Sequence, residues 1–223
     1  MKCRFALLGA LALAACNSQP PPLTPTEYCN QYAQDVCAGV SPICLIPQAS
    51  CMTTQLQVCT LRAQENVGRD FLPPNAAAHL GKVNAAYSRV QQDGSITASD
   101  FQAMEQARSR VYRGTIMANA ACLSDADCLD GLICDKGFCG TLRVVAPGAQ
   151  CANIGETCPQ GSYCSNATGI WVCTQSQLDF GEACSSDQDC SSGFCEPYAA
   201  LCAQDVRFAN GNPDCVAMKT PSP

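Results

Sequence analysis

The chain has 223 residues and a net charge of −6, with 20 cysteines against one histidine and one tryptophan. Leu, Ile, Val and Phe make about a fifth of it, close to the limit below which apolar burial fails to offset ordering entropy, so cross-links must supply part of the stability. The acidic balance argues against binding through a basic patch, and nucleic acid is not an expected partner.

Residues 1–16, MKCRFALLGALALAAC, place Lys2 and Arg4 ahead of an apolar run that is too short to span a bilayer. Residues 1–15 are expected to be a removed signal segment. The end of that run, Leu13-Ala14-Ala15-Cys16, resembles the lipobox of bacterial lipoprotein precursors. The resemblance implies cleavage before Cys16 and a diacylglycerol on its thiol, which makes the membrane a partner through lipid on Cys16. Parity agrees: cleavage removes Cys3, lipid occupies Cys16, and the 18 cysteines left of the 20 can form nine bridges. By resemblance to the family's sorting rule, Asn17 in place of Asp implies the bacterial outer membrane. Loss of Lys2 and Arg4 takes the net charge from −6 to −8, so the body adds no electrostatic attraction to that membrane.

Residues 16–25 form the anchor and a proline-rich spacer, NSQPPPLTP, of extended polyproline character. Over residues 26–121 Gly and Pro are sparse and apolar residues recur at helical spacing, which predicts four helices. The first runs over residues 26–38 with Tyr28, Tyr32 and Val36 on one side. The second starts near Pro47 and continues towards Phe71, with Met52, Leu56, Cys59 and Ala63 on a stripe. In the third, Leu80, Val83, Tyr87 and Val90 make an amphipathic face. The turn Asp93-Gly94-Ser95 leads into the fourth, with Thr97 as N-cap, Asp100 as a capping-box acid, and Phe101, Met104, Arg108 and Val111 following.

Cys29 and Cys37 are eight apart, as are Cys51 and Cys59, and Cys44 lies seven from each inner member. Mirror spacing suits an antiparallel helical hairpin, because residues seven or eight apart stay on one helix face. It predicts Cys37 bonded to Cys51 near the loop and Cys29 to Cys59 farther out; counts alone leave other pairings open.

From Cys122 the composition changes, and residues 122–205 hold three units. They carry Cys122, Cys128, Cys134 and Cys139; then Cys151, Cys158, Cys164 and Cys173; then Cys184, Cys190, Cys195 and Cys202. In each, a glycine follows the second cysteine at the same offset (Gly131, Gly161, Gly193), the mark of a left-handed turn position. The stretch CLSDADCLDGLICDKGFCG resembles the Dickkopf amino-terminal cysteine-rich module, and CSSDQDCSSGFC repeats it. With the lipobox, the chain is similar to bacterial, myxobacterial-type cysteine-rich lipoproteins that carry such repeats. The second unit departs with a longer gap from Cys164 to Cys173. The match covers about residues 120–204 and implies a fold, with no Wnt-coreceptor activity carried over. An interlaced pairing, first to third and second to fourth, is expected, each bridge contributing on the order of 3 kcal/mol. Cys44 and Cys215 remain, and elimination pairs them. Residues 206–223 are expected to be a polar tail.

No two cysteines are separated by two residues, the spacing of zinc knuckles, haem attachment and thioredoxin-like sites, so no metal and no cofactor is expected. The segment QDGSITASDF is similar to the exit half of an EF-hand loop, but with Gly94 as sixth position the first ligand falls on the cation Arg89, and a helix-capping turn is expected instead. The recurrent Ser124-Asp-Ala-Asp-Cys128 and Ser186-Asp-Gln-Asp-Cys190 are expected to bond nearby backbone, with calcium as the alternative. His79, in an alanine-rich helix start, is expected to be a partly exposed helix residue and no catalytic base; with no nucleophile elbow, phosphate loop or paired-carboxylate motif, no enzyme is expected.

The expected fold class is small disulfide-rich plus all-α: an N-terminal helical bundle with a disulfide-linked helical hairpin, then three small cysteine-rich units with short β-hairpins. The expected function is an outer-membrane-anchored surface binding, adhesion or structural module with a protein or glycan partner. The alternatives are a protease inhibitor, with Asp135-Lys136-Gly137 as its exposed loop, or a non-catalytic subunit of an envelope complex.

Overall fold

The computed structural model describes residues 22–219 apart from residues 67, 168 and 177. The signal segment, Cys3 and the lipidation expected on Cys16 lie outside the described residues. Helix α1 (Pro25–Cys44) opens on a first-turn proline and a full capping box, in which Glu27 N–H donates to Thr24 Oγ1 and Thr24 N–H to the Glu27 carboxylate. It outruns the predicted end at residue 38 and passes through Pro42. Proline cannot donate to the carbonyl four residues back, and that carbonyl, Ala38 O, is instead taken by Gln91 Nε2 at 2.7 Å. Helix α2 (Gln48–Glu65) falls short of the predicted end at Phe71, and Pro47 is its cap residue. At its end the Asn66 side chain bonds Arg62 O at 2.7 Å, a local competitor to further helix, and the chain turns into strand β1 (Asp70–Phe71).

Helix α3 (Pro73–Asp93) buries the predicted stripe of Leu80, Val83, Tyr87 and Val90. It packs against α1 so closely that a Cβ on Gly39 would lie 2.5 Å from Tyr87 O. Gly94, at φ 70°, ends α3, and strand β2 (Ser95–Thr97) leads to helix α4 (Ala98–Arg108), capped by Thr97 Oγ1 accepting from Asp100 N–H at 3.2 Å. The Asp100 carboxylate accepts from Thr97 Oγ1 and pairs with Arg89 at 2.7 Å, so it does not return to the cap backbone. Helix α4 stops before Val111, which is buried in the loop ahead of strand β3 (Tyr112–Arg113). Strands β1 and β3 pair antiparallel. Two bridges clasp α1 to α2, Cys29–Cys59 and Cys37–Cys51, with Cα atoms 5.5 and 5.8 Å apart.

The first unit joins Cys122 to Cys134 and Cys128 to Cys139, and ends in the hairpin of β4 (Ile133–Asp135) and β5 (Phe138–Gly140). Strands β6 (Arg143–Val144) and β7 (Glu156–Thr157) pair in parallel at the junction with the second. That unit joins Cys151 to Cys164 and Cys158 to Cys173 and carries the longest hairpin, β8 (Ser162–Ser165) with β9 (Val172–Gln175). The third joins Cys184 to Cys195 and Cys190 to Cys202 around β10 (Cys195–Glu196) and β11 (Leu201–Cys202). All three are interlaced, and Gly131, Gly161 and Gly193 take φ of 89°, 75° and 70°. Each unit's buried centre is a cysteine cluster, so sulfur fills the place of an apolar core.

The expected polar tail is corrected by the structure. Strand β12 (Asp205–Arg207) pairs antiparallel with β2, setting buried Val206 opposite buried Ile96. Phe208 packs on Tyr87, and helix α5 (Pro213–Ala217) brings Cys215 to Cys44 with Cα atoms 5.3 Å apart. Phe194 of the third unit enters the same core and meets Phe101 edge-on. Phe194 and Tyr198 of the third unit, with Val206, Phe208, Cys215 and Met218, therefore pack into the helical core, while the unit keeps its own cysteine centre. Among the described residues no helix is long and apolar enough to cross a membrane.

Candidate functional site

The eighteen cysteines between Cys29 and Cys215 are all in disulfides. Three trios, such as Cys122, Cys128 and Cys139, bring sulfurs within 4.8 Å of one another. None offers a thiolate, because each sulfur is already bonded to another. The acidic turns use their carboxylates internally. Asp127 Oδ2 accepts from the N–H groups of Leu123 and Ser124, its Oδ1 binds Arg69 at 2.6 Å, and Asp125 Oδ1 accepts from Cys134 N–H. The third unit repeats this: Asp189 Oδ2 takes the N–H groups of Ser185 and Ser186, and Asp187 takes Cys195 N–H and Gln102 Nε2. Arg69 first, then these backbone donors, hold the Asp127 carboxyl down to about 2. The turns are thus caps that aim the hairpins.

Lys136 does not project freely. Its Nζ donates to the carbonyls of Cys151 and Asn153 at 2.9 and 2.8 Å and pairs with Asp135 at 3.4 Å. The ammonium ties the first unit to the second.

The concave surface lies on the helical side. A cavity of about 330 Å³ sits between Tyr28 and Tyr32 of α1, Arg62 of α2, Arg108 of α4, Tyr112 and the acidic turn of the first unit. A second, of about 640 Å³, adjoins it, since Tyr32 and Arg62 wall both. It continues past His79, Tyr87, Phe101 and Glu105 to Tyr198 of the third unit and Val216 of α5. The helices place these groups. Tyr28 and Tyr32 are one turn apart on α1, Arg62 extends from the exposed side of α2 near its C-terminal end, and Glu105 on α4 holds Arg108 at 2.6 Å. Among the described residues Arg62 enters no ion pair.

His79 is buried, not partly exposed as expected: it is 1% exposed, its Nδ1 lies 2.9 Å from Tyr28 Oη, and Tyr32 stacks over its ring. Burial pushes it down to about 4 and the phenol of Tyr28 far up, so both are neutral across the physiological range. The site therefore offers aromatic faces, neutral hydrogen-bonding edges, the Arg108–Glu105 pair and, among the described residues, one cation outside any ion pair, Arg62. Tyr28, Tyr32 and Arg108 fall on predicted helix stripes, while Arg62, Glu105 and Tyr198 carry no signal in the sequence, because an arginine or glutamate on a solvent-facing helix position is ordinary. No protein-family model, no curated protein and no solved structure matches the chain.

Proposed function

We propose that the chain is an exported lipoprotein, anchored in the outer membrane through Cys16, whose stapled body is a binding module, and that the double cavity is its ligand site. The observation that carries this is the meeting of two aromatic-walled cavities at Arg62. Concave apolar sites with a few fixed polar groups are the usual form of small-molecule sites, and tyrosine faces with one unpaired guanidinium suit a flat apolar body carrying a single anionic group. The disulfides supply rigidity, which lowers the ordering cost of binding.

The test uses the chain with Cys16→Ser, which removes lipid from the titration. 2-Naphthoate is expected to bind saturably and quench tyrosine emission, with Arg62→Gln weakening it about tenfold, the worth of one exposed charge-assisted bond. Equal binding of 2-naphthoate and the uncharged 2-naphthylmethanol, or no saturable binding, would sink the assignment. For the anchor, the intact mass of the native mature chain before and after thiol labelling reads lipid on Cys16 and free thiols together.

A further inference from the structure

Two buried carboxyl groups meet where the third unit touches the C-terminal helix. Glu196, in β10, is 5% exposed and Asp214, in α5, 6%. One oxygen of each is bonded: Glu196 Oε2 accepts from the N–H groups of Tyr198 and Ala199, and Asp214 Oδ2 from Asn212 Nδ2 at 3.1 Å. The others, Glu196 Oε1 and Asp214 Oδ1, are sealed from solvent with no donor. Two orphaned carboxylate oxygens in one buried place are costly, whereas one proton between them makes each the other's partner. The side chains are within hydrogen-bond reach of each other, and burial, then the Glu196 charge, raises Asp214 to about 7. Neither enters an ion pair among the described residues. The titratable groups of the surrounding elements are Tyr198 on the same turn, Tyr32 on α1, Arg62 on α2, Tyr87 on α3 and Glu105 on α4. Burial keeps the three tyrosines neutral, and Glu105 is paired with Arg108.

We infer that Asp214 and Glu196 form a proton-held latch: protonated Asp214 donates to Glu196 Oε1 and joins α5 to the third unit, and loss of that proton to solvent loosens residues 213–218 from the hairpin turn while the Cys44–Cys215 bridge keeps α5 tethered to α1. Pro197, Tyr198, Pro213 and Val216, flanking the two acids, wall the larger cavity, so opening widens it. That consequence rests on the binding role proposed for the cavity; the latch does not.

The test is hydrogen exchange of the Cys215 and Met218 amides in the full chain, corrected for intrinsic rates. Their opening equilibrium is expected to rise on the order of a hundredfold from pH 5 to 8.5, the linkage expected when the closed form holds a proton that the open form has released. In Asp214→Asn, whose amide donates to Glu196 without titrating, the rise is expected to vanish. An equal rise in that variant, or none in the native chain, overturns the latch. Carbon-13 titration of the native Asp214 carboxyl is a readout needing no variant, and a midpoint in the ordinary carboxylate range also overturns it. 2-Naphthoate titrations at both pH values separate the two ideas: pH-gated amides without ligand binding uphold the latch and sink the binding role, and binding with pH-insensitive amides does the reverse.

Discussion

Replacing Cys44 and Cys215 together by alanine removes the bridge with the longest span among the described residues, a sequence separation of 171 residues. Loop-closure entropy assigns such a bridge about 5 kcal/mol, and although the six bridges of the three units shorten the free path to roughly 135 residues, the logarithm hardly changes. A bridge within the first unit, Cys122–Cys134 with a separation of 12, is worth about 3 kcal/mol on the same scale. The double alanine variant is therefore expected to lose 3–5 kcal/mol, roughly 2 kcal/mol more than the matched variant of the first unit. Guanidinium unfolding under non-reducing conditions, followed by helical circular dichroism, measures both. The slope with denaturant should rise in the Cys44/Cys215 variant, because its unfolded chain expands further. A loss below about 1 kcal/mol, or a larger loss from the short bridge, would refute the entropic account and leave local packing as the origin of the stability.

Gly39→Ala would press a Cβ to 2.5 Å from Tyr87 O and is expected to cost about 1–3 kcal/mol through forced separation of α1 and α3, read from the unfolding midpoint. Gly193→Ala combines a left-handed φ of 70° with a Cβ 2.7 Å from Gly161 N, so it should loosen the contact between the second and third units; unchanged exchange of the Ser176 amide, which donates to Gly161 O at 2.9 Å, would count against it. Asp127 has its folded pKa lowered to about 2, so its contribution is full above the ordinary carboxylate value and is lost as pH falls through 2. Arg69→Ala should move its carboxyl carbon titration back towards that ordinary value.

What could be read from the sequence were the features with a period or a fixed offset. The α3 stripe from Leu80 to Val90, the mirror cysteines of α1 and α2 and the left-handed glycines all repeat on a scale that local geometry dictates. The end of α1 was not legible, because Pro42 reads as a stop until Gln91, distant in sequence, supplies the missing bond to Ala38 O. Strands of two or three residues, such as β2 and β12, are too short to show alternation, so Val206 and Phe208 pass for isolated apolar residues in a polar tail. Glu196 and Asp214 were invisible for a related reason. An acid is assumed to face water, and only the tertiary fold brings these two together without it. The tyrosines of the cavity looked like core, which in part they are; the vacancy beside them is a property of packing that no residue pattern records.

Two perturbed interior groups, His79 and Asp214, act on stability in opposite senses, and together they make an unusual pH profile. His79 is neutral in the fold, with its pKa lowered from 6.5 to about 4. As pH falls through that window the unfolded chain takes up a proton the native one refuses, so stability declines, by at most about 3 kcal/mol. Asp214 is raised from 3.8 to about 7. Here the native chain holds the extra proton, so stability is greatest at low pH and is lost as pH rises through its window, by at most about 4 kcal/mol. The windows overlap between about pH 4 and 6.5, where one group's proton difference cancels the other's, and the native profile should be nearly flat there before falling above pH 6.5. Each single variant removes one side of the balance. Asp214→Asn should decline towards acid and stay level above pH 6.5, whereas His79→Gln should decline steadily from pH 4 to 7. If both variants keep the native profile when unfolding midpoints are compared across pH 4–8.5, neither group is held as its burial implies, and the physical basis of the latch falls with them.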